Sequence, residues 1–248
     1  MSRITEAIAE LQGAQKSSKG APAYSRFINR PFGRVLAAVA HTIGLSPNTV
    51  TMISGTVTYS GIAVILLVDP TWWSSLLITG LLVLGYALDS ADGQVARLQG
   101  GGSLAGEWLD HMADSLKMSS IHIAVLVSWF RFTDLSDGWL VVPVVFQVAA
   151  SVFFFGVILT ELLRRISSLQ HPEKAPAAAA ADSVKTSAVY AIAVLPADYG
   201  LLCLVFLTLW VQPLFVAIYT TLAAINTLLL VASLFRWFRS VKSLKRAG

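Results

Sequence analysis

The sequence predicts an all-α integral membrane protein with six transmembrane helices, an N-terminal amphipathic interfacial helix, and both termini cytoplasmic. Three observations lead there. Of 248 residues, 55% are hydrophobic and only 13% charged, about half the charge of an ordinary soluble domain, and the mean hydropathy is +0.68. The apolar residues fall in runs about as long as a bilayer is thick. When six spans are drawn, all of the 18 basic residues except Arg131 fall on one side. This balance excludes a soluble enzyme, a secreted disulfide scaffold and a disordered chain.

The elements follow in order. The first twenty residues are polar and lack the apolar core of a cleaved signal peptide. From Tyr24 to Thr42, Phe27, Val35, Leu36 and Val39 alternate with Arg26, Arg30 and Arg34, the pattern of a helix lying along a membrane surface, broken near Pro31. The spans run from about Val50 to Val68, Trp72 to Leu88, Leu116 to Phe130, Trp139 to Thr160, Ala188 to Val211 and Leu214 to Phe235. Pro196 and Asp198 interrupt the fifth, whose membrane part starts either at Ala188 or after Asp198. Residues 1–48 thus form a cytoplasmic N-terminus with its interfacial helix, 49–238 a six-helix transmembrane domain, and 239–248 a basic tail. The stretch around Ala177 to Ala181 reads as a linker. Cys203 has no partner for a disulfide.

Charge sets the orientation. Arg3, Lys16, Lys19, Arg26, Arg30 and Arg34 precede the first span, and Arg97 and Lys117 border the second connection. Arg164, Arg165, Lys174 and Lys185 lie in the fourth, and five more cations follow Phe235. The positive-inside rule puts all of these in the cytoplasm. The net charge of +4 belongs with anionic headgroups at the surface of a cell membrane and not with nucleic acid.

The informative stretch is Leu88 to Lys117, LDSADGQVARLQGGGSLAGEWLDHMADSLK, where the second span ends and the third begins. Asp89 and Asp92 lie about 60° apart on a helix, with Gly93 and Ala96 within about 40° of Asp89 and Arg97 at the edge of that face. Asp110 and Asp114 stack one turn apart on the next helix, with Gly106 one turn before. Gly100, Gly101 and Gly102 form a turn that would let the two helices pack as an antiparallel pair. Four carboxylates then converge near the cytoplasmic surface on a floor of small residues. Such a cluster needs compensation, since like charges disfavour one another's ionised forms. All-oxygen ligation suits Mg²⁺ or Mn²⁺, one or two ions, and a phosphate-bearing ligand, pointing to metal-assisted phosphoryl transfer.

The pattern Asp89-x2-Asp92-Gly93-x2-Ala96-Arg97-x8-Gly106-x3-Asp110-x3-Asp114 resembles, position for position, the signature of the CDP-alcohol phosphotransferase (CDP-alcohol phosphatidyltransferase) family. The resemblance implies an enzyme that displaces CMP from a CDP-linked alcohol with the hydroxyl of a second alcohol. It implies that Asp89, Asp92, Asp110 and Asp114 hold two divalent ions and that Asp114 is the general base. It assigns Gly93, Ala96, Arg97 and Gly106 to the cytidine diphosphate. Ser103, Asn48 and Thr51 match nucleotide-binding positions in similar proteins and are equally ordinary helix caps. Relatives are often homodimers, but no dimer signature is legible here.

Weaker candidates flank the cluster. Lys117 and Arg164, with Arg165, motivate an anionic acceptor such as inositol phosphate or glycerol phosphate; Lys117 alternatively pairs with the acids. Glu107 and His111 read as interfacial side chains without a specified role, and Asp198 as a functional acid or a helix cap. The leading expectation is transfer of a phosphatidyl group from CDP-diacylglycerol to a hydrophilic alcohol. The alternatives are transfer of a phospho-headgroup from a soluble CDP-alcohol to a lipid hydroxyl and, in another class, a divalent-cation transporter.

Overall fold

Proline, serine and threonine punctuate the chain where its long helices start. In a computed structural model describing residues 3–13, 22–170, 191 and 194–244, every regular element is helical. Helix α1 is Arg3–Gly13. A π-turn, Ser25–Asn29, runs without a break into α2, Arg30–Thr42. Pro31 lies in the first α-helical turn, where its missing N–H is no loss, so the expected break is absent.

Four longer helices follow. Ser46 caps α3 (Pro47–Leu67) by accepting from the Thr49 amide, and a Thr71–Ser74 capping box opens α4 (Trp72–Leu98). Ser103 caps α5 (Leu104–Phe132), and α6 is Val141–Gln170. Asp198 caps the short α7, Tyr199–Val205, which continues as a 3₁₀ turn to Thr208. Last is α8, Gln212–Lys242.

By length and composition α3, α4, α6 with its leading turn, and α8 can cross a membrane. Helix α5 has 29 residues, long enough at about 1.5 Å each, but carries the acidic stretch in its first half. The described part of the fifth predicted span is only Tyr199–Thr208. Its start at Ala188 and the alanine-rich linker lie outside the described residues.

Small residues bring α3 and α4 together. Ser54 Oγ donates to the Gly85 carbonyl at 2.8 Å, and a Cβ on Gly85 would lie 2.1 Å from Thr58 Oγ1. Close backbone approach of this kind is the usual way membrane helices gain contact. A core of Ile62, Ile78, Leu82, Ile121, Trp129, Phe146, Phe206, Phe215 and Tyr219 fills the bundle.

A second, smaller core lies at the other end. Leu11, Ala37, Ala40, Val50, Ala91 and Val95 bury against one another, so α1, which the polar N-terminal composition did not suggest, docks on α2 and α4. Gly33 presses α2 onto α4: a Cβ there would lie 3.0 Å from the Ala87 carbonyl and from Ser90. The opposite face of this segment exposes Phe27, Ile28, Phe32, Val35 and Val39. Leu36, expected on that face, instead packs inward against the small core.

Candidate active site between α4 and α5

The glycine turn sets the site. Gly100 and Gly101 have φ of 89° and 126°, left-handed values that glycine adopts without strain. They reverse the chain between α4 and α5, but the expected close antiparallel pair does not form. Each helix packs on α3, and α5 also on α6, rather than on one another. What spans the two helices at this end is polar: Lys117 of α5 reaches Asp89 of α4 at 3.3 Å.

Asp89 on α4 and Asp110 and Asp114 on α5 each offer a carboxylate oxygen, all within 4.8 Å of one another. Lys117, 5% exposed, reaches into this group. Its Nζ lies 2.5 Å from Asp114 Oδ1 and 3.3 Å from Asp89 Oδ1. One turn along α5 from Asp114, it pairs with the acids, the second of the two readings its spacing allows. The pair already holds one positive charge, and a carboxylate oxygen keeps a second lone pair, so the donor set fits a hard divalent ion.

Asp92 stands beside this trio. Thr51 Oγ1 donates to its Oδ2 at 2.6 Å, and the Gly93 amide donates to its Oδ1. Thr51 thus orients a carboxylate in addition to lining the cleft. Ser103 Oγ accepts from the Gly106 amide at 3.0 Å, which is the capping reading of that residue. Asn48 is exposed and meets Gly106 closely: a Cβ on Gly106 would lie 3.1 Å from Asn48 Oδ1. At Gly93 the nearest atom to an added Cβ is Arg97 Nη1 at 3.7 Å, leaving the floor open.

Two cavities flank the ridge made by Asp92, Gly93, Arg97 and Asp110. The larger, about 680 Å³, is lined on its far side by Asn48, Thr51, Ala96, Ser103 and Gly106. The smaller, about 380 Å³, adds Asp89 and Asp114 and is closed by Ser25, Asn29 and Arg30 of the N-terminal segment. Every signature position therefore borders one cavity or the other.

The flanking cations divide differently from the sequence expectation. Arg164, a candidate for acceptor binding, turns away and donates to Ser240 Oγ on α8 at 2.7 Å. One residue on, and about 100° around α6, Arg165 reaches the larger cavity. It bridges Glu107 at 2.6 Å and Glu161 at 2.9 Å, and His111 stands 3.9 Å from Glu107. Sequence reasoning missed Glu161 and gave Arg165 no partner; the i, i+4 spacing of Glu161 and Arg165 was the available signal.

Asp198 proves to be a cap with further partners. It accepts from the Gly200 amide at 3.0 Å, the Ser25 amide at 2.8 Å and the Tyr86 hydroxyl at 3.4 Å. It ties α7 and α4 to the N-terminal π-turn, which is how that turn comes to border the acids.

Comparison with known proteins agrees with this arrangement. The family model described as CDP-alcohol phosphatidyltransferase matches residues 44–238. Two crystal structures of Mycobacterium tuberculosis phosphatidylinositol phosphate synthase (PgsA1) have a similar fold. The one with CDP-DAG bound is 17% identical with a TM-score of 0.53, covering 89% of this chain and 98% of that one. The one in complex with manganese and citrate is 15% identical with a TM-score of 0.55, covering 89% and 94%. Curated protein sequences gave no match.

Proposed function

This chain belongs to the CDP-alcohol phosphatidyltransferase family, an integral-membrane enzyme of phospholipid synthesis, and we propose that it transfers a phosphatidyl group from CDP-diacylglycerol to a hydrophilic alcohol. The observation that carries this reading is the convergence of Asp89, Asp110 and Asp114 from two helices within 4.8 Å, inside the matched segment.

The roles we assign are those the family signature implies, and the convergence of the acids supports them. Asp89, Asp92, Asp110 and Asp114 hold two divalent ions, Mg²⁺ or Mn²⁺, which when bound neutralise the pyrophosphate of the donor. Cytidine diphosphate occupies the larger cavity, along Asn48, Thr51, Gly93, Ala96, Ser103 and Gly106, and Arg97 gives its phosphates charge-assisted hydrogen bonds. Asp114 accepts the proton of the acceptor hydroxyl as its oxygen attacks the phosphatidyl phosphorus. The new oxygen–phosphorus bond forms as the bond to the CMP oxygen breaks, and the electron pair leaves with CMP. Lys117 balances Asp89 and Asp114 between turnovers.

The chain spans the cell membrane six times with its site facing the cytoplasm. Arg97, Arg165 and the cations of the last helical turn of α8 accompany the acids on the side that positive charge marks as inside. All the acids lie toward one end of α4 and α5, whereas a transport path would spread polar groups through the membrane depth. That arrangement supports a transferase over a cation transporter.

The test is purified protein in lipid with Mn²⁺ or Mg²⁺, offered CDP-diacylglycerol with pooled alcohols, or a soluble CDP-alcohol with a lipid hydroxyl. CMP and a new phospholipid from the first mixture are expected. CMP from the second mixture alone would reverse the donor, and no CMP from either would sink the reading.

A further inference from the structure

Helix α1 precedes the segment that the family model matches, residues 44–238, yet it is built into the core behind the site. Its apolar side chains recur at Ile4, Ala7, Ile8 and Leu11, the spacing of one helix face. Leu11 is 0% exposed and Ala7 is buried, with Ile4 and Ile8 half-buried. The other side, with Glu6 and Glu10, is exposed.

Leu11 is the largest buried side chain in a core otherwise made of alanine and valine: Ala37 and Ala40 of α2, Val50 of α3, and Ala91 and Val95 of α4. The last two belong to the helix that carries the first half of the signature. At about 100° per residue, each stands two residues from Gly93 and so about 160° around α4 from it. One side of α4 therefore faces the cavities while the other is held by the core that Leu11 fills. Val50 adjoins Thr51, whose hydroxyl crosses from α3 to Asp92 at 2.6 Å. Gln99 Nε2, one turn beyond Val95, donates to the Leu45 carbonyl at 2.9 Å, and Leu45 packs against the same core.

Alanine has no rotamer with which to fill a void, and valine is stiff about its single side-chain torsion. A gap at Leu11 is therefore relieved only by shifting α4 against α2 and α3, and a core relaxes in this way only in part. The Thr51–Asp92 hydrogen bond spans α3 and α4 and lengthens with that shift. We propose that Leu11 is a positioning residue: from the back of α4 it fixes the Thr51–Asp92 contact and so sets the affinity of the site for its divalent ion, touching neither ion nor substrate. The consequence for metal binding rests on the reading that Asp92 helps to hold the ion.

The test uses the full chain in lipid nanodiscs. Calorimetry gives Mn²⁺ affinity, and CMP release from CDP-diacylglycerol with pooled alcohols is followed over a range of Mn²⁺ concentrations. Leu11→Ala is expected to weaken Mn²⁺ binding about tenfold, the low end of the scale for groups that orient a metal ligand. Its kcat at saturating Mn²⁺ stays within about twofold of wild type. Leu11→Met, which keeps the volume, retains wild-type affinity. Leu11→Ala combined with Thr51→Val binds no more weakly than Thr51→Val alone, because both act on one contact; independent effects would multiply to about a hundredfold. Multiplied effects, or a lower kcat with unaltered Mn²⁺ dependence, overturn the positioning role and leave Leu11 as packing alone. Affinity unchanged in Leu11→Ala but weakened in Thr51→Val overturns it too, while leaving the metal-site reading in place. Affinity unchanged in both variants overturns both. Should Leu11→Ala not fold, Leu11→Val, one methylene smaller, is judged by the same outcomes. Wild-type protein that binds Mn²⁺ yet releases no CMP overturns the transferase reading, and the calorimetric comparison still decides the role of Leu11.

Discussion

Lys117 Nζ lies 2.5 Å from Asp114 Oδ1, one turn back on the same helix, while also reaching Asp89 across the gap to α4. One ammonium thus joins the two helices that carry the acids, in a place where they do not otherwise pack closely. Removing one partner of a buried ion pair costs about 3–5 kcal/mol, because the other is left uncompensated. Lys117→Met should therefore unfold at a clearly lower temperature than wild type in the presence of a chelator. Adding Mn²⁺ should restore most of the difference, since the ion supplies the missing charge. Thermal unfolding with and without Mn²⁺ measures this; a metal-independent deficit would point to lost packing instead.

Asp114→Asn removes the proton acceptor while keeping the side chain's shape. General-base catalysis contributes about 10²–10⁴-fold, and CMP formation should fall by at least that factor. CDP binding, measured by calorimetry with Mn²⁺ present, should persist. Loss of folded protein on size-exclusion chromatography would mark Asp114 as structural.

Thr51 acts through Asp92. Its hydroxyl, 2.6 Å from Oδ2, belongs to a buried residue in the second turn of α3 and holds the carboxylate at the edge of the cluster. Partners of this kind typically tune metal affinity by about 10–100-fold. Thr51→Val should weaken the Mn²⁺ dependence of CMP release by about tenfold, with Thr51→Ser retaining near wild-type affinity. Equal affinities in all three proteins would restrict Thr51 to lining the nucleotide cavity.

Gly85 has no room for a side chain, because an added Cβ would sit 2.1 Å from Thr58 Oγ1. Overpacking of this sort costs about 1–3 kcal/mol. Gly85→Ala should lower the unfolding temperature in detergent, and the double variant Gly85→Ala with Thr58→Ala should recover it. A double variant no better than the single one would show that the strain lies in the backbone.

Much of this was readable before any coordinates, for a local reason. Acids at i, i+3 and i, i+4 share a helix face whatever the helix packs against, so Asp89 with Asp92 and Asp110 with Asp114 were legible as pairs. Ser103 was legible as a helix cap because an N-cap acts within one turn. The helix α1 was not, since its 11 residues are too few and too polar for periodicity to speak; its Leu11 and Ala7 are buried, Leu11 in the small core with residues of α2 and α4. Arg164 and Arg165 could not be told apart either, because flanking charge marks the membrane side and says nothing of rotation about α6.

The sequence by itself determined the membrane class, the family signature and the two acidic pairs, since those rest on composition and on spacing within single helices. Tertiary structure decided which groups face one another across helices. It placed Lys117 between Asp89 and Asp114, turned Thr51 to Asp92, and brought the π-turn at Ser25–Asn29 over the acids through Asp198, 173 residues further along the chain. Groups so far apart in sequence, here the Ser25 amide and the Asp198 carboxylate, meet because buried polar groups must find partners, and that requirement is met in three dimensions.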